Sequence, residues 1–78
     1  MLTLGKLRPG ERAVILEVRG TGPFRRRMVE MGLTPGTPVF VRKLAPLGDP
    51  MEINVRGYEM ALRKRDAEKV VLERREMR

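Results

Sequence analysis

The sequence contains no cysteine, no histidine, no tryptophan and no serine. Without cysteine there are no disulfide staples and no thiol chemistry. Without histidine there is no imidazole base, and the two absences together remove the usual zinc and copper ligand sets. Any metal would have to be held by Asp and Glu oxygens or by Met thioethers. The missing serine excludes a serine nucleophile. Aromatic residues are scarce, with one Tyr and two Phe, too few for the stacked platforms of a proline-rich peptide groove or a single-strand nucleic-acid site. No apolar run approaches the ~20 residues that span a bilayer. Met1 to Gly10 carry Lys6 and Arg8 and lack the form of a signal peptide. The expectation is a cytoplasmic chain, at most peripheral to the inner face of a membrane.

What the sequence does hold is positive charge. Seventeen basic residues against ten acidic give a net charge of +7 in only 78 residues. The bases gather at Arg25-Arg26-Arg27, at Arg63-Lys64-Arg65 and in the tail at Arg74, Arg75 and Arg78. Such an excess attracts an anionic counterpart: nucleic acid, a membrane surface or an acidic patch on a protein. Each cluster could equally be an ordinary solvated surface. A chain this short makes one domain, burying about 60–65% of the surface its unfolded form exposes, so its core is small.

Eight glycines and six prolines break the sequence into short stretches, which suits several short strands joined by turns. Arg8-Pro9-Gly10-Glu11 is a turn into a strand over Arg12 to Arg19, with Val14, Leu16 and Val18 alternating onto one face. Thr21-Gly22-Pro23 opens a helix over residues 23–31, with Pro23 suited to the first turn. Phe24, Met28 and Met31 form its apolar side, where methionines pack as core, and Gly32 ends it as a left-handed cap. A second strand runs from Val39 to Leu44, and Ala45 to Pro50 form a rigid loop. Met51 to Arg56 alternate as a third strand, and Gly57-Tyr58 turn it into a fourth through Met60-Ala61-Leu62. Asp66 to Lys69 make one helical turn before a closing strand at Val70-Val71-Leu72. The domain therefore spans 1–73, and residues 74–78 form a charged, frayed tail.

Read in order, these elements resemble the FeoA family. Leu4-Gly5-Lys6-Leu7-Arg8-Pro9-Gly10-Glu11 is similar to the family's opening, and Met28 to Thr37, with Gly32-Leu33 leading into Pro35-Gly36-Thr37, to its helix exit. Ala45-Pro46-Leu47-Gly48-Asp49-Pro50 resembles its most diagnostic loop, and Ala61-Leu62-Arg63-Lys64 with Ala67 and Val70 completes a likeness covering about residues 2–73. The resemblance implies a mostly β fold: a small five-stranded SH3-like antiparallel barrel with one short helix between its first two strands. It also implies a role in bacterial ferrous iron uptake, as an accessory to the membrane GTPase FeoB. Related domains close metal-dependent transcriptional repressors; the 78 residues here do not hold the repressors' DNA-binding and metal-binding domains, and an FeoA-like domain of such a regulator is kept as an alternative. The family carries a transition-metal-binding label, to which this sequence offers no Cys and no His.

No catalytic constellation is present, so the chain is expected not to be an enzyme and to use no cofactor and no small-molecule substrate. Gly20-Thr21-Gly22 lacks the Gly-Lys-Ser/Thr ending of a phosphate loop. Phe24 and Phe40 fall where core residues belong, which leaves Tyr58 alone on the surface and argues against a proline-rich ligand. Basic charge keeps nucleic acid as the alternative partner, weakened by the aromatic shortage. A protein partner of the FeoB type, beside an anionic membrane surface, is the favoured one. Its candidate contacts are Arg25, Arg26 and Arg27 on the helix and Pro46, Leu47 and Asp49 in the loop, where two prolines preorganise Leu47 at the tip.

Overall fold

The computed structural model describes the backbone of residues 1–76 and the side chains of residues 1–73. These form five strands, β1 (Arg12–Val18), β2 (Pro38–Leu44), β3 (Met51–Val55), β4 (Tyr58–Leu62) and β5 (Val70–Glu76). All pair antiparallel in one sheet of order β4-β3-β2-β1-β5. Helix α1 (Gly22–Glu30) joins β1 to β2, and the short α2 (Lys64–Ala67) precedes β5. This is the strand count and helix placement that the resemblance implies. Strand β5 continues to Glu76, past the boundary expected at 73, with Arg75 opposite Ala13 and Glu76 opposite Arg12. Met77 and Arg78, the end of the tail read as frayed, lie outside the described residues.

The face assigned to β1 is corrected. Ala13 and Ile15 are fully buried, whereas Val14 is half-buried and Leu16 is 50% exposed. Ile15 pairs with Leu72 and Glu17 with Val71, so two steps along β1 match one along β5. That bulge inserts one extra residue and switches the strand's parity. Val18 can therefore turn inward although Leu16, two residues earlier, points out. A strict period of two cannot anticipate this, because it carries one phase through the whole strand.

Phe40 is also corrected. Val39 and Val41 are buried and hold the core face of β2, so the alternation sends Phe40 to the outer face, half-buried. There the Arg12 guanidinium carbon lies 5.5 Å from its ring centroid.

Helix α1 starts at Thr21, whose side chain makes no capping bond, with Pro23 in its first turn. Met28 is its buried residue, with Phe24 and Met31 partly buried against the core. Its exit is a Schellman motif: Gly32 N–H donates to the Val29 carbonyl (2.9 Å) and Leu33 N–H to the Met28 carbonyl (3.0 Å). Gly32 has φ 97°, and the reversal drops Leu33 into the core beside Met28, both essentially inaccessible. Arg56 locks the same corner. Its Nε donates to the Gly32 carbonyl at 3.3 Å, and its Nη2 to the Thr34 and Thr37 hydroxyls at 3.0 and 2.9 Å.

Arg56 can reach that corner because Arg56-Gly57 is the two-residue loop of the β3–β4 hairpin, with φ 54° and 84° and Val55 paired to Tyr58. Positive φ at both loop residues is the type I′ choice, whose twist matches the strands. The turn thus lies one residue earlier than the sequence pattern places it. The open end of the sheet is covered by the N-terminus, through a 3₁₀ turn at Leu4–Lys6 that buries Leu4. Leu72 N–H donates to the Leu2 carbonyl at 2.9 Å, and the Thr3 hydroxyl to Glu68 at 2.8 Å.

Gly32→Ala tests how far the fold relies on the helix exit. A Cβ there is strained by the positive φ and would sit 3.1 Å from Arg56 Cδ. The expected loss is about 1–2 kcal/mol of unfolding free energy in a urea titration; an unchanged midpoint would contradict the role given to this corner.

Candidate functional site

The residues proposed from sequence fall on two separate surfaces. Arg25, Arg26 and Arg27 are all exposed on α1. Helical geometry explains this: Phe24, Met28 and Met31 lie within one apolar stripe, and the residues between them must face outward. Arg25 and Arg26 share a shallow depression with Val29, which is 44% exposed, and Glu30; Arg27, also exposed, is not part of its lining. None of the three arginines is in an ion pair among the described residues. Lys69 adds a fourth cation near the helix start, its ammonium 4.5 Å from the Phe24 ring centroid. The result is a basic helix face with one exposed apolar side chain in it.

The second surface is the loop between β2 and β3. Gly48 N–H donates to the Ala45 carbonyl at 2.8 Å, and Ala45 N–H to the Pro50 carbonyl at 2.9 Å, so the loop is tied at its neck. The short 3₁₀ turn assigned to Pro46–Gly48 contains non-helical backbone at Leu47, φ 71° and ψ 5°. Proline second and a left-handed residue third is the type II pattern, in which the third place normally belongs to glycine or asparagine. Here it is leucine, at a strain of about 1–2 kcal/mol, and its side chain is 104% exposed. A strained backbone that presents an apolar side chain wholly to water does nothing for the core. Such outliers concentrate where a surface is used.

Asp49 has a different task from its neighbours. Its Oδ1 accepts the Lys64 backbone N–H at 2.9 Å, satisfying a free donor at the start of α2 and fixing the loop to the far end of β4. No hydrogen bond or ion pair joins this loop to α1 among the described residues. The basic helix face and the exposed loop leucine are thus two surfaces not bonded to each other among the described residues.

A third feature escaped the sequence reading. Arg12, Phe40, Asn54 and Arg56, with the Pro35–Pro38 turn, line a cavity of about 400 Å³ on the outer face of the sheet. The signal for it was the Val39/Val41 alternation, which leaves Phe40 outside. Among the described residues no three acidic side chains come close enough together to hold a metal ion. No helix there is long and apolar enough to cross a membrane.

Similarity to known proteins runs along nearly the whole chain. The family model for the FeoA domain matches residues 2–74. A Porphyromonas gingivalis protein, the Fe(2+) transport protein A/Fe(2+) transporter FeoB fusion protein, is 40% identical over 72 residues, which are 92% of this chain and 8% of that protein. The iron(II) transport protein A of Clostridium thermocellum superposes with a TM-score of 0.88 at 33% identity, over 92% of this chain and 44% of that one. The zinc-complexed FeoA of Stenotrophomonas maltophilia, described as a prokaryotic SH3 domain protein, superposes with a TM-score of 0.84 at 28% identity, covering 94% and 91% of the two chains.

Substitutions in the β2–β3 loop separate presentation from support. Leu47→Gly removes the left-handed strain and is expected to hold or raise stability, by up to about 1 kcal/mol. Asp49→Ala frees the Lys64 amide and should lower stability by about 1 kcal/mol. Thermal melts of both variants check this, and a large loss from Leu47→Gly would mean that the leucine serves the fold.

Proposed function

Because this chain belongs to the FeoA domain family, we propose that it is a non-enzymatic accessory module of bacterial ferrous iron uptake, docking on a FeoB-type membrane GTPase at the cytoplasmic face of the membrane. Support comes first from the Porphyromonas gingivalis relative, in which a segment 40% identical to this chain is part of the same polypeptide as a FeoB transporter. Two partners joined in one chain in one organism commonly meet as separate chains in another. For the Stenotrophomonas protein, a part in activating ferrous iron transport has itself been raised.

The surfaces suit such docking. The α1 arginines make a compact positive patch, which speeds encounter with an acidic face more than it holds the complex. They would also lie favourably against anionic lipid, at about 1 kcal/mol for each nearby Lys or Arg. Leu47 is the holding contact: the loop's neck hydrogen bonds already fix its backbone, so docking has only its side-chain rotamers left to order. The module works without a resident transition-metal site, since carboxylates and thioethers make a poor one. Calorimetric titration with ferrous iron or zinc should give no stoichiometric submicromolar binding, and such an isotherm would refute that part.

Interferometry with the transporter in neutral-lipid nanodiscs tests the docking. Reversing Arg25, Arg26 and Arg27 to Glu should slow association about tenfold or more at low salt and flatten its salt dependence. Leu47→Ala should leave association alone and raise the dissociation rate about tenfold. Tight binding of mixed-sequence DNA at physiological salt, with none to the transporter, would overturn the proposal.

A further inference from the structure

Arg12, Phe40 and Asn54 form one cross-strand row over β1, β2 and β3, since Arg12 pairs with Phe40 and Phe40 with Asn54. The cavity they line, about 400 Å³, has the size of a ligand cleft and is walled on one side by Pro35 and Pro38. Two guanidinium groups line it. Arg12 rests over the Phe40 ring, and Arg56 is tied through Nε and Nη2 to Gly32, Thr34 and Thr37. That leaves Arg56 Nη1 as a free donor, and the Arg12 guanidinium and the Asn54 amide make no hydrogen bond among the described residues. No acidic side chain among the described residues lines the cavity. Two cations, of which Arg56 is fixed by hydrogen bonds, and an unengaged side-chain amide beside an aromatic ring and prolines have the chemistry to receive a carboxylate with an apolar neighbour.

We propose that this outer-face cavity binds an extended acidic segment of a protein partner, with an Asp or Glu carboxylate between Arg12 and Arg56 and an adjacent apolar side chain against Phe40 and the prolines. The proposal rests on reading the chain as a protein-docking module and adds the chemistry of one docked segment. A nucleic-acid strand fits less well, because the positive charge is local. The row continues past Asn54 to Glu59, which pairs with Arg42, and Glu52 lies on the same outer face. A chain of phosphates crossing the sheet would run onto those carboxylates, whereas a single carboxylate in a short extended peptide meets only the pocket.

The test is selection from a random-peptide display library on the immobilised full chain, followed by affinity measurement and amide NMR mapping with the selected peptides. Enriched sequences are expected to carry Asp or Glu beside an apolar residue and to shift the amides of Arg12, Phe40, Asn54 and Arg56. Replacing the peptide's acid by its amide, or Arg12→Gln in the protein, should each weaken binding at least about tenfold. Asn54→Ala, on an exposed face, gives an independent check. Failure to enrich acidic peptides, affinity indifferent to Arg12→Gln and Asn54→Ala, or tighter occupation of the same amides by mixed-sequence DNA would each overturn it. Peptides that map to the cavity while the transporter fails to bind would leave this inference standing and remove the transporter as partner. Transporter binding without acidic-peptide selection would do the reverse.

Discussion

The double pairing of β1, with β2 on one side and β5 on the other, is the constraint on which the rest of the structure depends. It brings the last strand back to the first, so Ile15 at its centre is enclosed by residues from both ends of the chain. With no cysteine in the chain, no disulfide assists the closure, and burial of aliphatic side chains is the main source of stability, at about 1.5–3 kcal/mol for each full side chain. The bulge at Leu16 is how one strand serves two partners. It bends β1 and increases its twist, which lets a five-stranded sheet wrap around so small a core. The N-terminal 3₁₀ turn and α2 then cover the end that strand pairing leaves open, linked through Thr3 and Glu68.

With the strands committed to closure, the connections between them carry what the molecule shows to its surroundings. Helix α1 serves both ends at once. Met28 and the Schellman exit fasten it, and that fastening aims the arginines outward. Arg56 is similarly double: three of its donors hold the hairpin against the helix exit, and the same side chain lines the outer-face cavity. Leu47 belongs wholly to the surface. Its left-handed backbone works against stability, and the neck hydrogen bonds together with Asp49 keep the loop in that shape. A surface that is rigid before it meets a partner retains more of the contact energy as affinity.

Most of the architecture could be read from residue order. Pro23 and Gly32 bracket α1, Met51, Ile53 and Val55 declare β3, and the three exposed arginines follow from the helical period around Met28. What could not be read depends on the third dimension. The inward turn of both Ile15 and Val18 needs a bulge that only the β5 partner defines. Phe40 looks like core by composition, and only its flanking valines, weighed against it, send it outward. Asp49 shares the loop with Leu47 but caps a helix fifteen residues away, a contact set by folding rather than by local pattern. The cavity joins residues from three strands and a turn, and no short motif could announce it. The likeness to FeoA domains was visible in four segments in order.

The claim that this is a docking module whose contacts lie on its connections and outer face is tested most directly by hydrogen–deuterium exchange of the full chain, with and without the transporter in nanodiscs. Added protection should concentrate in α1, in residues 45–50 and around Phe40 and Asn54, while the buried amides of β1 and β5 remain as slow as before. No change on adding the transporter, or protection confined to the tail beyond β5, would contradict the account.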